Sequence, residues 1–120
     1  MKRATLFLTV LALVVSPIMV MATEGPVKAG RIILPRTVTI GDIVLRPGTY
    51  TVQLVPKQEG MFIQFVRRGK VIAEDLAIVR TARFSRRTPR IRAGKVWNQN
   101  FYKVTIHYGD KRYTAFLSIQ

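Results

Sequence analysis

The chain has 120 residues, with 20 lysines and arginines against 6 aspartates and glutamates, a net charge of +14. It holds no cysteine and one histidine, which excludes a disulfide framework, a thiol nucleophile and a zinc site built on cysteines. A chain this short buries a single core, so packing alone has to stabilise it.

Lys2-Arg3 followed by the apolar run from Leu6 to Val15 has the charged and apolar regions of a secretory signal peptide. Ser16-Pro17 ends that run, and Val20-Met21-Ala22 places small or branched residues at a processing site. The pattern predicts cleavage after Ala22 and a periplasmic or secreted product. The rival is an uncleaved anchor, because Ala4 to Ala22 approaches the ~20 residues that span a bilayer. Of 120 residues, removal of the first 22 leaves 98, so residues 23–120 are expected to form one domain.

Thr23 to Gly30 reads as a short polar leader, and Arg31 to Leu34 as an edge strand closed by Pro35. The stretch from Thr37 to Val55 organises the rest of the chain. Gly41-Asp42 sits between Val38/Ile40 and Ile43/Leu45, the signature of a two-residue hairpin. That register sets Ile40 opposite Ile43 and Val38 opposite Leu45, with all four on one face. Pro47-Gly48 predicts a second turn, since proline fixes φ and glycine tolerates a positive φ next to it. Tyr50, Val52 and Leu54 then alternate with polar residues, as in a half-buried strand.

Pro56 to Gly60 is expected to be a loop. Met61 to Val66, apolar at five of six positions, is expected to be a central strand covered on both faces. Arg67-Arg68-Gly69-Lys70 forms a tight basic turn, and Val71 to Val79 a strand interrupted at Glu74-Asp75. Near the end, Tyr102, Val104 and Ile106 precede Gly109-Asp110, and Tyr113, Ala115 and Leu117 come after it. A two-residue turn there would pair Ile106 with Tyr113 and set His107 opposite Arg112 on the polar face. No apolar period of 3.6 residues persists beyond the leader. The expected fold is all-β: a small antiparallel β-sandwich of seven or eight strands, of immunoglobulin or transthyretin-like type, with a small β-barrel as the alternative. An outer-membrane barrel would consume the whole remaining chain in its eight or more strands of about ten residues.

Leu45-Arg46-Pro47-Gly48-Thr49-Tyr50-Thr51-Val52 resembles the L-x-P-G-x-Y-x-V element of secreted bacterial β-sandwich modules, including transthyretin-like and carboxypeptidase-regulatory-like repeats. The wider order of turns also resembles small secreted proteins of environmental bacteria. The resemblance implies a β-sandwich, often non-enzymatic, and carries over no catalytic residue.

From Leu76 to Gly109 there are eight basic residues and no acidic one. Arg80, Arg83, Arg86, Arg87, Arg90, Arg92 and Lys95 are the candidate ligands for a polyanion, because arginine forks suit phosphate, sulfate and carboxylate. A solvated basic surface is the competing reading. Trp97 is a candidate stacking residue for sugars or bases, weighed against a role with Phe84 in covering an end of the sandwich. Enzyme constellations are thin: His107 has only Ser85 and Ser118 as serine partners after the leader, and nothing arranges them as a triad. Glu74 and Asp75, being adjacent, point to opposite faces and make a poor carboxylate pair. No metal ligands stand at a useful spacing and no cofactor motif is present. The expectation is a non-enzymatic exported protein that binds an anionic envelope or extracellular polymer, lipid headgroups included. The alternative is a structural or assembly protein acting on a partner through its strand edges, and a hydrolase is a distant third.

Overall fold

The computed structural model describes residues 25–120, and the leader with its cleavage site after Ala22 lies outside the described residues. The chain forms β1 (Val27–Leu34), β2 (Val38–Ile40), β3 (Ile43–Leu45), β4 (Gly48–Lys57), β5 (Gly60–Arg67), β6 (Lys70–Leu76), β7 (Ile78–Lys95) and β8 (Phe101–Ile119). They build two antiparallel sheets, one ordered β1-β4-β5-β6 and the other β3-β2-β8-β7. The two sheets pack face to face with their edges open, as in a β-sandwich rather than a closed barrel. Among the described residues no helix is long and apolar enough to cross a membrane.

Alternation explains the core. Tyr50, Val52 and Leu54 of β4 and Ile63 and Phe65 of β5 meet Val104, Ile106, Ala115 and Leu117 of β8, all buried. Across the first sheet Val52 pairs with Phe65 and Phe65 with Ala73, so the smallest side chain sits beside the largest. The outer face of this sheet carries polar groups that satisfy one another. Gln53 Nε2 donates to Gln64 Oε1 at 2.8 Å, Gln64 Nε2 to Glu74 Oε1 at 3.0 Å, and Lys57 Nζ to Glu74 Oε2 at 2.7 Å. This row covers the outer side of the central strand β5, where Gln64 is buried.

The Lys57 ammonium holds the Glu74 carboxyl below its ordinary value, partly opposed by burial. A carboxylate whose folded pKa is depressed stabilises the fold above its unfolded pKa and loses that contribution as pH falls through the folded value. Asp75, next to it, is raised by burial and contributes with the opposite sign, since protonation relieves its desolvation. Glu74→Gln should therefore lack this one group's share of acid destabilisation, which is expected to set in as pH falls below the ordinary carboxyl value of 4.5. The effect should stay within about 1 kcal/mol, because the ion pair is partly exposed and screened. Parallel melts of both proteins across that range measure it.

The Gly41-Asp42 hairpin has the expected register, Val38 opposite Leu45 and Ile40 opposite Ile43. Three of its four apolar residues are buried, but Ile43 is exposed because β3 is the short edge of its sheet. The 67–70 turn closes β5 onto β6 as expected, with Arg67 opposite Lys70. The irregularity in β6 falls at Ile72, the residue left unpaired between Val71 and Ala73, and not at Glu74-Asp75. Pro56 to Gly60 is mostly strand, and only Gln58-Glu59 turns.

Arg46-Pro47 carries the chain from one sheet to the other instead of reversing it within a sheet. Gly48 opens β4 with φ +144°, and a Cβ there would lie 3.0 Å from Arg67 Nη2. The Tyr50 hydroxyl donates to the Arg46 carbonyl at 2.7 Å, tying strand to link in the manner of a tyrosine corner. Gly48→Val should cost roughly 1–3 kcal/mol, because a β-branched residue meets both a forbidden φ and the Arg67 guanidinium. Urea melts that superimpose on wild type would show the link to be tolerant.

The largest departure concerns the C-terminal third. Gly109-Asp110 does not make a hairpin; β8 runs straight through it, and the long basic segment becomes its partner strand β7. The reversal lies at residues 96–100, where the Val96 amide donates to the Phe101 carbonyl at 2.8 Å. Gly109, at φ +60°, supplies a left-handed kink. The kink shifts the inward phase from Val104, Ile106 and Tyr108 to Tyr113, Ala115 and Leu117. A bulge and a two-residue turn leave the same phase shift in the sequence, so the pattern alone could not separate them.

A basic groove on the β7–β8 ribbon

β8 has one face in the core, so its other face, Lys103, Thr105 and His107 before the kink and Arg112, Thr114 and Phe116 after it, points outward. The register with β7 places Arg80 opposite Arg112, Arg90 opposite His107, Arg92 opposite Thr105 and Gly94 opposite Lys103. These residues line one open groove of about 820 Å³, floored by the ribbon. Six cations line it: Arg80, Arg90, Arg92, Lys95, Lys103 and Arg112. No acidic residue does.

The concavity has a local cause. The β7 partners jump from Thr81 to Arg86 and again to Arg90, while β8 advances only from Lys111 to Gly109 to His107. β7 therefore carries surplus residues at 82–85 and 87–89, and bulges of this kind bend and coil a ribbon. Pro89, without an amide hydrogen, is tolerated because β7 is an edge strand. His107 Nε2 lies 2.7 Å from the Phe84 carbonyl, which only accepts, so Nε2 donates and pins the first bulge.

Cross-strand like charges oppose folding, and Arg80 faces Arg112 directly. Neither has an acidic partner within ion-pair distance among the described residues. Counter-anions from solution are what such a face attracts.

Of the candidate residues read from the sequence, Arg80, Arg90, Arg92 and Lys95 line the groove. Arg83, Arg86 and Arg87 sit in or beside the bulges and do not line it, and the Arg86 Nε is buried without a hydrogen-bond partner. Trp97 stands at the hairpin turn, 88% exposed, and Phe84 is also largely exposed, so neither covers an end of the sandwich. Sequence reasoning left out Lys103 and Arg112. The usable signal was the polar face of β8, where His107 and Arg112 do share a side, although along one strand rather than across a turn.

Among the described residues no group of three or more His, Cys, Asp or Glu side chains is placed to hold a metal ion. Comparison with protein-family models, with curated proteins and with solved structures finds no match to the chain, so the groove is interpreted from its own chemistry.

Proposed function

We propose that the protein is an exported, non-enzymatic β-sandwich whose β7–β8 groove binds an anionic polymer or anionic headgroups of the cell envelope. One observation carries this reading: six cations share a groove with no acid, and two of them face each other across the ribbon. A solvated basic surface usually interleaves signs, and this face does not. The leader pattern of residues 1–22 supports export, which would bring the groove to envelope phosphates and acidic polysaccharides. The PGTY element supports the same compartment through its resemblance to secreted sandwich modules.

The test is co-sedimentation with phosphatidylglycerol vesicles and with an acidic polysaccharide across a salt series. Release of condensed counterions predicts affinity falling steeply with salt, with a log–log slope of about −0.9 per contact on a polymer as dense as duplex DNA and a shallower one on sparser chains. No binding at low salt would remove the reading. The assembly alternative is favoured by one feature, the 18-residue edge strand β7 with one side of its backbone unpaired. Salt-insensitive oligomers would support it instead.

A further inference from the structure

A second cationic cavity, of about 450 Å³, shares no residue with the groove. The link between β3 and β4 contributes Arg46 and Pro47, and the β5–β6 turn contributes Arg67, Arg68 and Lys70, with Ile72 beside them. Four cations surround it, and none has an acidic partner within ion-pair distance among the described residues.

One of the four is held in place by its neighbours, and a second sits at an unusual backbone position. The Arg67 guanidinium lies over the Tyr50 ring at 5.4 Å, and its Nη1 donates to the Tyr50 hydroxyl at 3.4 Å. Gly48 leaves room for it, as a Cβ there would stand 3.0 Å from Nη2. Arg67 is therefore ordered before any ligand arrives. Arg68 sits at φ +53°, with Gly69 next at φ +76°, the geometry of a type I′ turn. Asparagine is the residue that geometry favours, and arginine gains nothing locally from it. A cation kept at a strained position, beside three others, points to a ligand that repays it.

We propose that this cavity is a discrete site for a phosphate monoester, distinct from the groove and independent of the groove's own ligand. The groove is long, suited to a chain of charges. This site is smaller and at least as open to solvent, and its ordered fork with three flanking cations suits one doubly charged oxyanion. Pro47 and Ile72 would pack on the first carbons of the ester. A free phosphosugar and the headgroup of phosphatidic acid offer the same chemistry.

The experiment is an amide NMR titration of the full chain with inorganic phosphate, against chloride at matched ionic strength. Saturable shifts at residues 46–48 and 67–72 are expected. Arg68→Asn should weaken phosphate binding about fivefold while the melting temperature holds or rises, since asparagine suits the turn. Arg46→Gln should weaken it similarly, and Arg90→Gln with Arg92→Gln should leave it unchanged. Glycerol 3-phosphate and phosphatidic acid vesicles then separate the sources, and tighter binding of either through this cavity supports the site. Absence of saturation there, or wild-type affinity in Arg68→Asn, overturns it.

Discussion

Replacing Arg80, Arg90 and Arg92 together by glutamine is expected to weaken binding to anionic vesicles about a hundredfold at low salt. Each basic residue near an anionic surface contributes about 1 kcal/mol, and three such losses amount to two decades in affinity. The salt dependence should flatten at the same time, because fewer counterions are released. All three side chains are exposed, so the fold should survive. Stability should even rise slightly, because Arg80→Gln removes a like-charge pair with Arg112. A charge-matched comparison isolates position from net charge: Arg83→Gln with Arg87→Gln against Arg90→Gln with Arg92→Gln. Both doubles lose two charges, but only the second pair lines the groove. Equal losses in the two doubles would mean that binding tracks total charge and that the groove has no special role.

Phe65→Ala is expected to have the largest effect on stability, about 3–5 kcal/mol. Phe65 is fully buried in the central strand β5, flanked by Val52 on β4 and Ala73 on β6. Truncation leaves a cavity between the sheets that alanine at 73 cannot help to fill. For a domain whose whole stability is about 5–15 kcal/mol, that loss brings unfolding close to ambient temperature. The melting temperature should fall by roughly 12 °C or more. Phe65→Leu, which keeps most of the volume, should lose much less. A small shift in Phe65→Ala would imply that the sheets collapse onto the gap, and so that the core between them is loose.

The sheet alternation, the 41–42 hairpin and the 67–70 turn were legible because each is set by neighbours in sequence. The C-terminal third was not, and the two Gly-Asp pairs show why. Gly41 and Gly109 adopt nearly the same left-handed φ, +56° and +60°. The first closes a hairpin between three-residue strands that have no better partner on that side. The second only kinks a strand, because residues 78–95 bind that strand along its length. Which strand pairs with which is a non-local choice, and the local dipeptide does not encode it.

The groove was half legible for the same reason. Charge counting marks the basic segment, since no acid interrupts it. Which arginines share a face depends on the bulges at 82–85 and 87–89, which break the two-residue period. Lys103 and Arg112 belong to the groove through the partner strand. Lys103 is counted in the segment but its place beside the β7 arginines follows only from the pairing, and Arg112 lies outside it.

Mapping where an anionic polymer lands tests the central claim most directly. Amide NMR shifts of the full-length chain, titrated with a short acidic oligosaccharide at low salt, should concentrate on Arg80, Arg90, Arg92, Lys103, Thr105 and Arg112. Residues 53, 64 and 74 on the outer face of the other sheet should stay unchanged. Shifts spread evenly over both sheets, or confined to the bulge residues 82–89, would contradict the assignment of the β7–β8 groove as the binding surface.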